Sequence, residues 1–552
     1  MQTTLCVPLE VRPESSSRLS ALIDEFRQTE DQGTDPDLEN FARVIRDIPT
    51  LHFMSISVFI TADYDPTFIL EANMDGPPGV FWGQIEAAFG EKLRDMLRCC
   101  KKPLDSDGPL YAAVTAPGSK APVAPYMEAR TQWPSAFHHG NRGMSRDRIL
   151  AEAALFDGIR AQLDDLTLHP TDVYRGLPPL QVHSQLRAAM LPAFDWLATA
   201  SPPRIPPRDR ARDLVRLMLF VIVLLLVLSL PGVILASVLP ARTYLLLVIL
   251  LAGILALLIY LGRAALPGTG IPTQFKLWGF LIDRLWMIVG FVGVAAVLAT
   301  LVRMPLSIFW TMLINLLEGK TFSAQEISFG LMNTHTLLGF FSLIVILPLV
   351  ILWLRYLEKR DSSQDDPPLD AGVLREMARQ EDWVAQNNMG SIVRIKPGVL
   401  RAILIRAGHL GLGLVLRVMR TSREGYLGSM RTVHFAHWAF LNNRSRLLFL
   451  SNFDQSWGSY LDDFIEKANV GTTLAWGGGV GFPPTRFLIY DGSSNGRKFK
   501  AWALASRAVS RFWYSAYPKL TVNQIERNNR IADGLRQPAL AEQEAKTWMT
   551  DL

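Results

Sequence analysis

An α+β fold interrupted by transmembrane α-helices is what this sequence predicts, and two observations predict it. A strand–turn–strand unit occurs twice, once near each end, and the longest apolar runs are gathered between the copies. With His52 aligned to His434, LHFMSISVFITADYDPTFILEANMD (51–75) follows VHFAHWAFLNNRSRLLFLSNFD (433–454) through Phe53/Phe435. Two apolar strands flank a polar turn, and Asn73-Met74-Asp75 meets Asn452-Phe453-Asp454. The second copy is three residues shorter, all in the turn.

A chain of 552 residues exceeds what one core usually serves. It divides into an N-terminal domain (1–200), a membrane region (201–358), a polar, Pro-containing linker (359–385) and a C-terminal domain (386–552). In the membrane region, 214–239 and 243–261 are each long enough to cross about 30 Å of hydrocarbon. Two further spans are expected at 285–302 and 333–354, the latter with Pro348, which membrane helices tolerate. The segment 305–317 is too short to span and reads as re-entrant or interfacial. Arginines gather at the start of the first span (Arg204 to Arg216), between the second and third, and after the fourth, so both termini are expected in the cytoplasm. The expected location is a bacterial inner membrane.

In the C-terminal copy, the helix SWGSYLDDFIEKA follows the two strands. Next come a strand TTLAWGG, a Gly/Pro loop, a strand TRFLIY, a helix KFKAWALASRAV, a strand SRFWYSAY and a helix TVNQIERNNRIADGL. The N-terminal copy gives the helix 79–100, strands PLYAAVTA and APYMEART, and the helix 144–166. Ser135-Ala136-Phe137 aligns with Ser515-Ala516-Tyr517, Ile149 with Ile525 and Gly158 with Gly534. Each copy therefore reads as a βαββαβ, ferredoxin-like domain. An even number of spans returns the chain to its starting side, where the copies can pair as a pseudo-dimer.

The phrases SIVRIKPG (391–398), HFAHW (434–438), SNFDQSWGSYLDDFIEKA (451–468) and WYSAYPKLTVNQIERN (513–528) resemble an uncharacterised family of bacterial membrane proteins. The resemblance implies duplicated ferredoxin-like domains and an association with dye-decolourising-type haem peroxidases; it makes a peroxidase, or another cytoplasmic protein, a candidate partner and leaves the cofactor open, haem included. The chain departs from that pattern at His437, Gln455 and Ile395, where the family has Arg, Gly and Val.

His52 and His434 are candidate catalytic or axial haem residues, against the reading of satisfied structural histidines. His434 and His437 point to opposite faces of a strand, so they do not form one metal site, and no metal is expected. Asp75 and Asp454 are candidates beside them, although Asn and Asp at a strand end before a helix commonly cap free N–H groups. Arg511, Trp513, Tyr514 and Tyr517 are expected to line an apolar ligand cavity, against the alternative of plain core. In the apolar helix 398–420, Arg401, Arg406, Arg417 and Arg420 suit a helix lying on anionic lipid, or equally a buried helix with snorkelling arginines.

A net charge of +5 is accounted for largely by juxtamembrane arginines and gives no case for nucleic acid. Cys6, Cys99 and Cys100 have no metal-ligand spacing and read as cytosolic thiols. No Walker, His-Glu-x-x-His or Ser-His-Asp pattern occurs, and the spans hold too little charge for a secondary transporter. The expected function is binding or processing of an apolar or lipid-derived molecule at the membrane surface. The alternatives are a scaffold docking a cytoplasmic protein and a haem-dependent oxidoreductase.

Overall fold

The computed structural model describes the chain except residues 1, 34–39, 62–63, 165–173, 202, 263–315, 318, 320–337, 366, 369–370, 382–384, 419–429 and 442. In chain order the strands are β1 (Gln2–Glu10), β2 (Leu51–Phe59), β3 (Thr67–Asp75), β4 (Ala136–His139), β5 (Gln386–Arg394), β6 (Val433–Leu441), β7 (Arg446–Asp454), β8 (Thr485–Arg486), β9 (Tyr490–Asp491), β10 (Arg507–Ala508) and β11 (Phe512–Ser515). The helices that matter here are α1 (Ser16–Glu30), α2 (Pro78–Leu97), α3 (Gly108–Thr115), α4 (Ala124–Ala129), α5 (Arg146–Asp164), α6 (Pro207–Val238), α7 (Ala241–Gly262), α8 (Leu343–Glu358), α9 (Val399–Val418), α10 (Trp457–Glu466), α11 (Asn469–Trp476), α12 (Gly496–Ala505) and α13 (Val522–Arg536).

Two antiparallel sheets, ordered β1-β3-β2-β11 and β10-β5-β7-β6-β4, stack face to face. Alternation along β3 explains the layering. Phe68, Leu70, Ala72 and Met74 face a core shared with α1 and α2, whereas Ile69 joins Cys6, Phe59, Ile392, Leu448 and Leu450 between the sheets. The sheets approach closely there. A Cβ on Gly390 would lie 2.8 Å from Cζ of Phe59, so glycine leaves the room that ring occupies. On the far side of the second sheet, Tyr460, Phe464 and Trp476 pack on Phe449 and Phe453.

Neither sheet is finished by its own half of the chain. Strand β4, from the N-terminal half, pairs with β6, and β11, from the C-terminal half, pairs with β2. The boundaries 1–200 and 386–552 divide the sequence but cut across both sheets. This pairing also corrects the alignment of the far ends. Ala136 lies opposite Trp438, and Phe512 lies opposite Ile56, the residue that matches Trp438. Ala136 therefore corresponds to Phe512 and His139 to Ser515, four residues from the alignment on Ser-Ala-aromatic. The corrected interval is the one that already relates Ile149 to Ile525. Hydrogen bonds repeat at it too. Gln2 Nε2 donates to the carbonyls of Asn141 (3.5 Å) and Met144 (2.7 Å), and Gln386 Nε2 donates to those of Tyr517 (3.1 Å) and Leu520 (2.5 Å).

Three segments expected as strands are helices. PLYAAVTA forms α3, with Tyr111 and Val114 buried one turn apart, APYMEART forms α4, and TTLAWGG forms the end of α11. TRFLIY is a tight hairpin, β8–β9, rather than one strand.

Among the described residues, three helices are long and apolar enough to cross a membrane, spanning 207–236, 338–358 and 399–418, and 241–257 is a shorter apolar helix. The expected span 285–302 and the segment 305–315 lie outside the described residues. Helices α6 and α8 meet through small residues. A Cβ on Gly232 would run into Ser342, and one on Gly339 into Val233, so the backbones come closer than larger side chains would allow.

Candidate functional site

His52 and His434 occupy equivalent places, each beside the Asp that ends the neighbouring strand. His52 Nε2 lies 3.1 Å from Asp75 Oδ2, and His434 Nε2 lies 2.8 Å from Asp454 Oδ1. Each Asp also accepts the first amide of a distant helix. Arg146 N donates to Asp75 at 2.8 Å and Val522 N to Asp454 at 2.8 Å, tying α5 and α13 to the sheets. Capping is thus the role of both, but not of the helix next in sequence. Burial works against the charge of Asp75, yet the His52 contact and the Arg146 amide outweigh it and hold the carboxyl below the usual range.

A haem, which the resemblance leaves open, does not fit these histidines. Both rings are buried and packed among Phe53, Phe435 and Tyr517 at centroid separations of 5.2–6.0 Å. The Nε2 atom of each already faces a carboxylate, and His52 Nδ1 is 2.9 Å from the Tyr517 hydroxyl. Among the described residues, no three His, Cys, Asp or Glu side chains converge as metal ligands.

The aromatic cluster likewise belongs to the sheets. Trp513 Nε1 donates to Asn452 Oδ1 (2.8 Å), Tyr514 is buried against Phe41, and Arg511 pairs with Asp24 at 2.8 Å. None of Arg511, Trp513, Tyr514 and Tyr517 lines the cavity described below.

Between the sheets lies a polar seam that the sequence did not announce. Glu71, fully buried, accepts from Ser55 Oγ (2.9 Å), Asn73 Nδ2 (2.9 Å) and Asn452 Nδ2 (3.2 Å). Burial pushes its carboxyl up, against these hydrogen bonds. His437 Nδ1 stands 3.7 Å from Glu71 Oε1, and burial pulls this imidazole down to about 3. Thr4 Oγ1 donates to Asn73 Oδ1 (2.8 Å) and lies 3.0 Å from Nε2 of His139, which reaches the cavity.

That cavity, about 860 Å³, opens where the first apolar helix leaves the domain. Its walls come from the start of β1 (Gln2, Thr3, Thr4), the turn Asp75–Pro78, and Trp133, Phe137 and His139 around β4. The loop before α5, the first turns of α6 and Arg417 of α9 complete it. Five arginines line it: Arg142, Arg204, Arg212, Arg216 and Arg417. Arg142 bridges two helices, donating to Asp213 Oδ2 (2.7 Å) and to the carbonyl of Arg417 (2.5 Å). Arg212 pairs with Asp209 (2.7 Å) and Arg204 with Glu526 (2.7 Å). The Arg417 guanidinium lies 4.5 Å from the centroid of the Phe137 ring.

Of the arginines expected at a membrane surface, Arg417 alone lines the cavity. Arg401 bonds Asp361 (2.5 Å) and the carbonyl of Leu357 (2.8 Å) at the end of α8, Arg406 is exposed, and Arg420 lies outside the described residues. Helix α9 consequently touches α8 at one end and α6 at the other, with Gly411 against Phe220. Asp213 sits roughly 28 Å along α6 from Gly232, at about 1.5 Å per residue, and Asp361 lies just past the end of α8 that is remote from Gly339. The start of α9 is thus tied to the foot of α8, and its last turn is tied through Arg142 to the first turns of α6. The outward face of α9 carries Val399, Ile403 and Leu410, all more than half exposed, with Arg406 among them.

The sequence shows Arg204, Arg212 and Arg216 as the basic flank of the first span and Arg417 on an apolar helix, but not the cavity, whose walls come from segments with no shared motif. Compared with known proteins, the chain matches no family model, no curated protein and no solved structure.

Proposed function

We propose that this chain is a bacterial inner-membrane protein with both termini in the cytoplasm, built from two duplicated ferredoxin-like units that exchange their last strands. Its cavity binds an amphiphile, a lipid-derived molecule whose apolar part stays in the bilayer. The observation that carries this reading is the cavity's position. It is lined by Arg212 and Arg216 in the first turns of α6, interleaved with the outward-facing Leu214, Val215 and Leu219. Arginine at that depth meets the headgroup layer, and the apolar, Arg-bearing outer face of α9 suits the same layer. A peroxidase partner, implied by the resemblance, would meet the protein on its cytoplasmic side.

The test uses the full chain in neutral detergent, titrated with a fluorescent fatty-acyl amphiphile. Saturable binding of one molecule per chain is expected, and Ile205→Trp, which fills the cavity, should weaken it about tenfold or more. Unsaturable partitioning, identical in the variant, would refute the reading.

A further inference from the structure

We infer that the cavity's ligand carries a phosphate group, and that it favours a dianionic phosphomonoester over a phosphodiester; this rests on the proposed amphiphile reading. The charges in the cavity give the reason. Three of the five guanidinium groups have a carboxylate at 2.7 Å: Arg142 with Asp213, Arg204 with Glu526 and Arg212 with Asp209. Arg216 and Arg417 have none within ion-pair distance among the described residues, and both face the cavity.

Two guanidinium groups on one cavity, neither with a carboxylate partner among the described residues, match one phosphomonoester, which carries close to two negative charges at neutral pH and presents three acceptor oxygens. A carboxylate or a phosphodiester would leave one charge unmatched. Arg417 is held in place from behind by the face of Phe137, and its backbone carbonyl is tied through Arg142 to Asp213 on α6. Arg417 is therefore positioned before any ligand arrives, which lowers the ordering cost of binding.

The remaining lining fits the rest of such a ligand. Trp133, Pro134, Ile205 and Pro206 offer apolar surface beside the arginines. Asp75, which also lines the cavity and is held ionised by His52 and the Arg146 amide, repels a second anionic group placed beside it. A single phosphate at the Arg216–Arg417 end is thus favoured over an extended polyanion.

The experiment places the full chain in nanodiscs of phosphatidylcholine and titrates in phosphatidic acid, a phosphomonoester lipid, or phosphatidylglycerol, a phosphodiester, following Trp133 fluorescence. A parallel arm adds inorganic phosphate. Phosphatidic acid should bind about tenfold or more tightly than phosphatidylglycerol, and Arg216→Gln should abolish that preference. Arg417→Lys, which keeps the charge but loses the planar fork, should reduce it with the melting temperature preserved, separating a binding defect from a folding one.

Displacement of the lipid by millimolar inorganic phosphate would keep the phosphate site but assign it to a soluble ligand. Equal binding of the two lipids, equally weakened by Arg216→Gln, would overturn the phosphomonoester inference while leaving the amphiphile reading intact. Failure of every lipid to bind would overturn both.

Discussion

His437 and Glu71 form an unusual pair, a neutral imidazole and a carboxyl group buried together with no cation at hydrogen-bonding distance among the described residues. A buried ionisable group must be neutral or matched, and here burial has pulled His437 down to about 3. The direction of the pH effect follows. Unfolded, the imidazole titrates near pH 6.5; folded, it stays neutral until about pH 3. Between those values the unfolded chain binds a proton that the folded chain does not, so stability falls as the pH falls, by at most about 1.4 kcal/mol per pH unit. Above pH 6.5 this contribution is level. Thermal unfolding of His437→Gln between pH 7 and pH 4 should therefore show a shallower pH dependence than the parent, by one proton. An unchanged slope would mean that the imidazole is charged in the fold. The sequence showed a histidine on a buried strand but not its neighbour, because Glu71 reaches it from another strand in the opposite sheet.

At the scale of elements, the β8–β9 hairpin carries backbone strain. Phe487 (φ 52°) and Leu488 (φ 68°) are consecutive left-handed residues, a conformation in which side chains other than Gly, Asn and Asp are uncommon. Their amides both donate to Glu358, the last residue of α8, at 2.9 and 2.8 Å, and Thr485 Oγ1 adds a third bond at 2.9 Å. The carboxylate at the foot of an apolar helix thus fixes a turn that Phe and Leu would not adopt unaided. Leu488→Gly should relieve the backbone and raise stability by up to about 1 kcal/mol, whereas Glu358→Gln should lower it by about 1–3 kcal/mol. Melting curves in one detergent would decide, and a loss of stability in Leu488→Gly would show that its packing outweighs the strain. The apolar runs of α6 and α7 and the alternation of β2, β3, β6 and β7 were legible because each pattern is long enough to admit one solution. The short helices α3, α4 and α11 were not. Over eight residues or fewer, a buried face on helical spacing resembles a strand, and only the core that receives Tyr111 or Trp476 distinguishes them.

For the molecule as a whole, exchange of β4 and β11 makes the two halves interdependent. Removing residues 386–552 would leave the edge of β2 open and would uncover Ile69 and Cys6 in the layer between the sheets. We expect residues 1–200 alone to aggregate, and co-expression with 386–552 to recover a soluble pair. Monomeric, protease-resistant behaviour of either half alone would refute this interdependence. The cavity was illegible in the sequence for a related reason. Gln2, Arg142, Arg216 and Arg417 are brought together only once β4 has crossed to the second sheet and α9 has packed against α6. The likeness of the two strand pairs could be read from His52 and His434, but nothing in that likeness reveals that each sheet takes its last strand from the other half of the chain.

The crossing of those strands also has a consequence for biosynthesis. When β2 leaves the ribosome, its edge partner, β11, is still more than four hundred residues from being made. At roughly 5–20 residues per second, the first sheet waits on the order of tens of seconds, through insertion of the apolar helices, before it can close. During that interval an apolar strand edge is open to wrong partners, so a chaperone that shields it, or early docking at the bilayer, would be needed in the cell more than for a protein whose sheets close in chain order.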